Sequence, residues 1–206
     1  CLLKEPLFST FHKYKKMIFI GMGLMVMDTV GFNLVLIYSS FYHTSVLHLS
    51  TFQSTVLQFF IIVLFLITTL LAGNLSDRVG IRQFAKRVLL LLLFLASPIY
   101  ILSGWKIYWL LFFTQGTLAV LIASYFSVLP ALVSSLFPIE VRYSGTATAM
   151  NFAIAIFGGI GPFIMVKVVG QFQNPLWPIL YLMTGCALSL LSLAGVHNPK
   201  QLISKM

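Results

Sequence analysis

Long apolar stretches alternate with short polar segments along the whole chain. Each apolar stretch is close to the ~20 residues that a helix needs to cross the hydrocarbon core of a bilayer. The alternation therefore predicts an all-α integral membrane protein with six transmembrane helices. The expected spans are 17–41, 51–72, 88–103, 107–136, 143–169 and 176–196, with a basic segment at 1–16 and a tail at 197–206.

The composition supports a membrane location and argues against a soluble domain. Hydrophobic residues make up 59% of the 206 residues and charged residues only 8%, whereas soluble domains carry about 25% charged residues. The formal net charge is +9. Because the basic residues lie in short loops and tails, membrane topology explains them without a nucleic-acid partner.

The basic residues also predict the orientation of the chain. If the loops alternate between two sides, one side holds the N-terminal segment, the 73–87 and 137–142 segments and the tail. That side collects eleven of the thirteen lysines and arginines, and the other side has only Lys106 and Lys167. Because excess Lys and Arg marks the cytoplasmic side, both termini are expected in the cytoplasm, at the plasma membrane or bacterial inner membrane.

One acidic residue falls near the middle of a predicted span. Asp28 lies about midway along the first span, where an acidic residue costs roughly 2.5–3.5 kcal/mol to insert. Such a residue usually faces a partner or a water-filled path, which makes Asp28 a candidate proton, cation or substrate contact. The alternative is a neutral, protonated Asp28 that is hydrogen-bonded to a neighbour.

Other polar side chains within the spans are candidates for a substrate or proton path. Each of them costs free energy to bury alone, so each either lines an aqueous cavity or forms a hydrogen bond between helices. The pattern leaves both interpretations open. These residues are Asn33, Tyr38, Gln58, Gln115, Tyr125 and Asn151.

The fifth predicted span is rich in small residues. Small side chains let helix backbones approach closely in lipid. The sequence therefore predicts a close-packed seam here, which is either static or slides during a transport cycle. The small residues are Gly145, Ala147, Ala149, Ala153, Ala155, Gly158, Gly159 and Gly161.

Nothing in the sequence supports catalysis, a cofactor or a metal site. The chain has four acidic residues and lacks a phosphate-binding glycine loop, paired catalytic carboxylates and metal-ligand spacing. His43 and His48 lie in a predicted loop at 42–50, with no carboxylate or thiol nearby, and are expected to be solvated. We therefore do not expect an enzyme.

The polar stretch at 73–87 carries a recognisable motif. It resembles the signature loop of the major facilitator superfamily, which joins the second and third helices of each half. Ile81 stands where that family usually has a basic residue, and Arg82 keeps the next charge. The motif here is Gly73-x-Leu75-x-Asp77-Arg78-x-Gly80-x-Arg82.

A second motif follows the fourth predicted span. It resembles the loop between the tenth and eleventh helices in the metabolite:proton symporter branch, which includes proline/betaine, α-ketoglutarate and citrate carriers. On this resemblance the chain is the C-terminal half of such a carrier, built of two three-helix repeats. The motif reads Phe137-Pro138-x-x-x-Arg142-Tyr143-Ser144-Gly145.

The resemblance implies alternating-access transport driven by a proton gradient. In the family, the signature Asp pairs with charges at neighbouring helix ends and holds the cytoplasmic side shut. Asp77 takes that position here, and Arg142 is its candidate partner. The expected cytoplasmic gate comprises Gly73, Asp77, Arg78, Gly80, Arg82, Glu140 and Arg142.

Length separates this chain from such carriers, which have twelve helices in two halves with the substrate between them. The other half is expected upstream in a longer chain, in a separate chain or in a second copy of this one. The expected partners are the lipid bilayer, protons and a small polar or zwitterionic metabolite. The alternative is a truncated membrane remnant or scaffold without transport.

Overall fold

The computed structural model describes residues 6–103, 107–159, 161, 163, 167 and 176–196. Every regular element in these ranges is helical. The turns expected at 104–106 and 170–175 and the tail at 197–206 lie outside the described residues. The six main helices are α1 (Pro6–Phe32), α2 (Thr51–Val79), α3 (Ile81–Ser103), α4 (Tyr108–Ser134), α5 (Arg142–Ala153) and α6 (Leu176–Gly195).

Two of these helices continue with π-helical geometry. α1 passes into π-helical Asn33–Tyr38, α-helical Ser39–Phe41 and π-helical Tyr42–Val46. α5, which follows a short 3₁₀ turn at Ile139–Val141, passes into π-helical Ile154–Gly158. π-helical turns often occur at functional sites, and the first π segment of α1 adjoins that of α5 at the cavity described below.

Among the described residues, four helical stretches are long and apolar enough to cross a membrane. They are Tyr14–Ser45, Thr51–Val79, Tyr108–Ser134 and Trp177–Gly195. α3 begins with a basic segment, so its apolar part falls short of a full span of ~20 residues, and α5 is described continuously only to residue 159. The chain is therefore an all-α, multi-pass membrane protein.

The helices pack in a regular pattern. α1 packs mainly against α5 and α6, α4 packs mainly against α2 and α3, and α3 also packs against α6. As a result, α1 and α4 hold much of the buried core. α2 instead exposes many large apolar side chains, including Phe52, Leu66 and Leu70, as expected of a helix that faces lipid.

Contacts between helix ends show which loops lie together. A Cβ placed on Gly21 of α1 would touch Ala149 of α5 and Leu136, just beyond α4. The Arg82 guanidinium at the start of α3 donates to the carbonyl oxygen of Leu193 near the end of α6, at 3.4 Å. The first part of α1, the α2–α3 turn, the α4–α5 connection and the end of α6 thus lie at one end of the bundle, which we call the basic end.

The polar stretch at 73–87 is almost entirely helical, which corrects its prediction as a loop. α2 continues to Val79 and α3 begins at Ile81, so only Gly80 separates them. Gly80 has a φ of 94°, a conformation that glycine adopts without steric strain. The flanking Arg, Lys and Gln residues are good helix formers, and helix ends can carry their charges outside the hydrocarbon.

The first helix is longer at both ends than its expected span. The segment at 1–16 is helical from Pro6 onward, with a kink at Tyr14, and the predicted loop at 42–50 is helical through Val46. No glycine or proline lies between Gly31 and Ser50, so nothing in that stretch ends a helix. α4 includes Pro130 and runs through it as one helix.

Candidate functional site

A cavity of about 310 Å³ opens between α1, α4 and α5. α1 supplies its polar side and the other two helices supply an apolar side. The cavity therefore combines a few polar groups with apolar walls, as small-molecule sites usually do. Its described lining residues are Asp28, Thr29, Phe32, Asn33, Phe126, Ile154 and Gly158.

Asp28 is the unsatisfied polar group of this cavity. About 7% of its surface is exposed, and its Oδ1 atom has no hydrogen-bond partner within the described part of the chain. A buried polar atom left without a partner costs roughly 1–3 kcal/mol. The site therefore suits an additional group, such as a proton, a water molecule or a solute, that would satisfy this carboxyl group.

The polar neighbours of Asp28 are held by their own helix. The Thr29 hydroxyl donates to the carbonyl oxygen of Met25 at 2.9 Å, and the Asn33 amide donates to the carbonyl oxygen of Thr29 at 2.7 Å. These local bonds fix both side chains beside the cavity. Neither bond involves Asp28, so its Oδ1 atom has no partner among the described residues.

Small residues bring α5 close to the polar side of the cavity. Gly145, Ala149 and Ala153, spaced four residues apart, are all buried in α5. Further along, a Cβ placed on Gly158 would come within 2.9 Å of the Thr29 Cγ2 atom and 3.6 Å of the Asn33 amide nitrogen. Ala149 and Gly158 thus lie close to α1, whereas Ala155 and Gly159 of the predicted seam are exposed.

Tyr125 connects helices, although it was a candidate for the substrate path. It is fully buried on α4, and its hydroxyl donates to the carbonyl oxygen of Leu24 on α1 at 2.8 Å. The contact lies one helical turn from Asp28 along α1. Of the two interpretations that the sequence leaves open, this geometry favours an interhelical hydrogen bond.

Gln58 also connects helices. Its amide group donates to the carbonyl oxygens of Val35 and Leu36 at 3.3 and 3.2 Å, and its Oε1 atom accepts from the Ser39 hydroxyl at 2.8 Å. These carbonyls belong to the first π segment of α1, where the helical hydrogen-bond register shifts by one residue. Gln58 thus supplies donors to this irregular part of α1.

The other three path candidates are spread over the bundle. Tyr38 is buried on the first π segment, and its hydroxyl has no hydrogen-bond partner among the described residues. Gln115 is buried in α4, and Asn151 is exposed on α5. None of the three is a described lining residue of the Asp28 cavity.

Asp77 lies beside a second cavity, of about 320 Å³, at the basic end. Its side chain is exposed on the last turn of α2. Asn74 and Ser76 line the cavity from the same helix, and Ser127 and Ala131 line it from α4. The signature motif therefore packs against the last turns of α4.

Arg142 lies on the other side of those turns. It lines a separate cavity of about 520 Å³ with Pro130 and Ser134 of α4, and its Nε atom donates to the carbonyl oxygen of Phe137 at 3.4 Å. Within the described ranges, no ion pair joins Asp77 to Arg142. The two motifs share one end of the bundle, but these side chains do not meet.

The remaining gate candidates have varied surroundings. Arg78 and Glu140 are exposed, while Arg82 is engaged with Leu193 of α6. Gly80, with its positive φ, forms the turn between α2 and α3. A Cβ placed on Gly73 would meet no atom within 4 Å, so close packing does not require glycine there.

His43 is a residue that the sequence-based interpretation missed. It was expected to be solvated in a loop, but none of its surface is exposed. Neither ring nitrogen has a hydrogen-bond partner in the described structure. The stretch without glycine or proline around His43 was the available signal that this segment continues the first helix.

A carboxyl group with an unpartnered oxygen, in a cavity between membrane helices, is a feature typical of substrate and proton paths in membrane transport proteins. Comparison with curated proteins supplies particular relatives. The chain is 29% identical over 181 residues to the glycine betaine/proline/ectoine/pipecolic acid transporter of Dickeya dadantii and 28% identical over 180 residues to the proline/betaine transporter of Escherichia coli. It is 30% identical over 184 residues to the citrate-proton symporter of Salmonella typhi.

These matches confirm the resemblance drawn from the two loop motifs. They cover 84–88% of this chain but only 36–41% of each relative, so the chain spans less than half the length of the curated relatives it matches. That coverage is consistent with the C-terminal half of a major facilitator carrier. The relatives are transporters and not enzymes. No family model and no solved structure matches the chain.

Proposed function

We propose that the chain is the C-terminal six-helix half of a secondary active transporter that carries a small polar or zwitterionic metabolite together with protons. The cavity that holds Asp28 carries this proposal. A carboxyl group there can take up a proton and release it as the cavity opens to each side of the membrane in turn. The relationship to a citrate-proton symporter supports proton coupling.

The helix packing supports two three-helix repeats. If α1, α2 and α3 are exchanged for α4, α5 and α6, the α1–α5 contact becomes α4–α2, and the α1–α6 contact becomes α4–α3. The α3–α6 contact maps onto itself, so the main packing pattern is unchanged by the exchange. Inverted repeats of this kind occur in major facilitator halves.

The charge distribution supports an orientation with both termini in the cytoplasm of a bacterium. Exposed basic residues are concentrated at the basic end, among them Lys15, Lys16, Lys86 and Arg87. Excess Lys and Arg in short loops marks the cytoplasmic side. In the proposed cycle, Asp77 and Arg142 lie in the cytoplasmic gate, where a movement of the last turns of α4 would bring them together.

The proposed partner is a second six-helix half. Phe126 and Ile154 line the Asp28 cavity and are themselves partly exposed, and Asn151 is exposed close to Ile154 along α5. A second half packed over this face would close the cavity into a substrate site between the halves. That half belongs to the same chain, to a separate chain or to a second copy.

Uptake measurements distinguish a transporter from a non-transporting remnant. The chain is produced in a bacterial strain without its own uptake systems, alone and together with the part of the Escherichia coli proline/betaine transporter that it does not match. Labelled proline, glycine betaine and citrate are the probes. We expect uptake of at least one probe with the second half present, abolished by a protonophore. No uptake of any probe, with both polypeptides in the membrane, would favour the remnant.

A further inference from the structure

Four buried polar residues recur at intervals of five along the first helix. Asp28, Asn33, Tyr38 and His43 have 7%, 7%, 2% and 0% of their surfaces exposed. At ~1.5 Å per residue, each interval is roughly 7–8 Å along the helix axis. The series passes through both π segments of α1. It leads from the Asp28 cavity toward the end of the bundle opposite the basic end.

Three of these residues have buried polar atoms without a hydrogen-bond partner in the described structure. They are Oδ1 of Asp28, the hydroxyl of Tyr38, and both Nδ1 and Nε2 of His43. Buried side-chain polar atoms normally have at least one partner. A run of such atoms on one helix therefore indicates a shared role for these side chains beyond packing.

Another unpartnered group lies on the neighbouring helix. Gln58 of α2 contacts Ser39 of α1, and the two helices are connected by a short loop and run antiparallel. Ser54 lies one turn before Gln58 on α2, and His43 lies one turn after Ser39 on α1. In this antiparallel pair, Ser54 and His43 are therefore at the same height along the bundle. Ser54 is buried, and its hydroxyl has no partner among the described residues. Tyr38, His43 and Ser54 can therefore together supply the two to four polar partners that a buried water needs.

Within the described residues, His43 has uncharged neighbours on its own helix and on the helices packed against it. On α1 it lies beside Tyr42, with 6.4 Å between the ring centroids, and Tyr38 is one turn away. α2 and α4 are the main helices packed against the π segments of α1, and neither brings a charged side chain to this end. Their titratable residues are Asp77 and Arg78 at the basic end, and the phenols Tyr108 and Tyr125.

We propose that His43 is the outer proton-entry group of this transporter and that Tyr38 relays protons from it toward Asp28. The inference rests on the proposed function, in which Asp28 binds the coupling proton, and it adds the route by which that proton arrives. A buried imidazole with both nitrogens free is suited to this role because it can accept a proton on one nitrogen and release one from the other.

The transfer conserves protons at each step. A proton from outer water adds to one nitrogen of His43, and the proton on the other nitrogen leaves, so the ring ends neutral. The Tyr38 hydroxyl accepts a proton and passes its own onward. The carboxylate of Asp28 takes up the last proton and becomes a neutral acid. Because the intervals are longer than a hydrogen bond, water molecules bridge them.

Hydrogen–deuterium exchange at the imidazole C2 position tests water access to His43 independently of transport. The chain is placed in lipid nanodiscs and D₂O, and exchange is read by mass spectrometry. His48, which is exposed five residues further on, is the internal reference. We expect His43 to exchange at a rate comparable to that of His48. If His43 remains unexchanged after His48 has exchanged fully, water does not reach the ring and the proposed route is wrong.

Transport by His43→Gln and Tyr38→Phe tests the relay itself, with His48→Asn as the matched control. We expect each of the two variants to lower proton-driven accumulation about tenfold or more. Exchange of labelled for unlabelled substrate should persist, because it requires no net proton movement. His48→Asn should resemble the wild type in both assays.

The possible outcomes separate the route from the function. Unchanged accumulation in both variants overturns the route and leaves the transporter intact. If the His43 variant loses both substrate exchange and accumulation, His43 has a structural role, and this result also counts against the route. If the wild type carries none of the probes, the proposed function fails, and the deuterium exchange still decides whether water reaches His43.

Discussion

The Tyr125 hydroxyl of α4 donates a hydrogen bond of 2.8 Å to the carbonyl oxygen of Leu24 on α1. This bond joins the first helices of the two proposed three-helix repeats, one turn from Asp28. The Leu24 carbonyl oxygen also accepts from the Ser189 hydroxyl of α6 at 3.2 Å. α1 is therefore fixed by two neighbouring helices immediately beside the cavity.

Removing this hydroxyl should loosen the wall of the cavity. We expect Tyr125→Phe to lower the free energy of unfolding by about 0.5–1.5 kcal/mol, the net value of one hydrogen bond. Thermal unfolding of the purified chain in nanodiscs measures the effect. Tyr143→Phe, at a residue that is 88% exposed, is the control. Equal stability of the two variants would show that the Tyr125 bond contributes nothing.

Gln58 should stabilise the π-helical part of α1. Gln58→Leu keeps a side chain of similar size but removes the donors to the Val35 and Leu36 carbonyl oxygens, at an expected cost of about 1–3 kcal/mol. The same substitution at exposed Gln83 should cost far less. Thermal unfolding compares the two variants. A Gln58→Leu protein as stable as Gln83→Leu would mean that the π segment needs no donor from α2.

The space around two glycines, one in α5 and one in the segment that follows it, predicts changes in stability of opposite sign. A Cβ at Gly145 would overlap the buried Phe137 ring, whereas one at Gly159 would meet no atom within 4 Å. We expect Gly145→Ala to destabilise the chain by about 1–3 kcal/mol through overpacking. Gly159→Ala should be neutral or stabilising by up to ~1 kcal/mol through helix propensity. Melting temperatures that move in the same direction would contradict this assignment.

Helix existence was predictable from the sequence, but some helix boundaries were not. Each of the six apolar stretches contains a described helix, and four of the described helical stretches are long and apolar enough to cross a bilayer. The 73–87 stretch was mistaken for a loop because polarity was taken to mean irregular backbone. Charged side chains fit equally well on helix ends that extend beyond the hydrocarbon, and only Gly80 has a backbone angle that breaks the helix.

The candidate site was only partly predictable, because burial depends on neighbouring helices. The position of Asp28 in a span was sufficient to select it, since a carboxyl group at that depth is costly. Tyr125 and Gln58 looked equivalent to Asn33 in the sequence, but their partners on other helices determine their roles. His43 was missed for the same reason, since its burial depends on the continuation of α1 and on packing against α2.

Asp77 should affect transport more than folding, because it is exposed at the basic end. If it belongs to the cytoplasmic gate, Asp77→Asn should lower uptake about tenfold, the scale of a 1–3 kcal/mol bias between conformational states. Gln83→Ala, on the same side, should keep wild-type uptake. Uptake is measured at equal amounts of protein in the membrane. Wild-type uptake by Asp77→Asn would remove this residue from the gate.

The most direct test of proton-coupled transport is the movement of protons themselves. Vesicles containing the chain and its second half, without an imposed gradient, receive proline, glycine betaine or citrate while the pH of a weakly buffered medium is recorded. We predict that a transported probe makes the medium more alkaline, and that Asp28→Asn abolishes this change. Probe uptake without alkalinisation in the wild type, or an unchanged response in Asp28→Asn, would contradict the account.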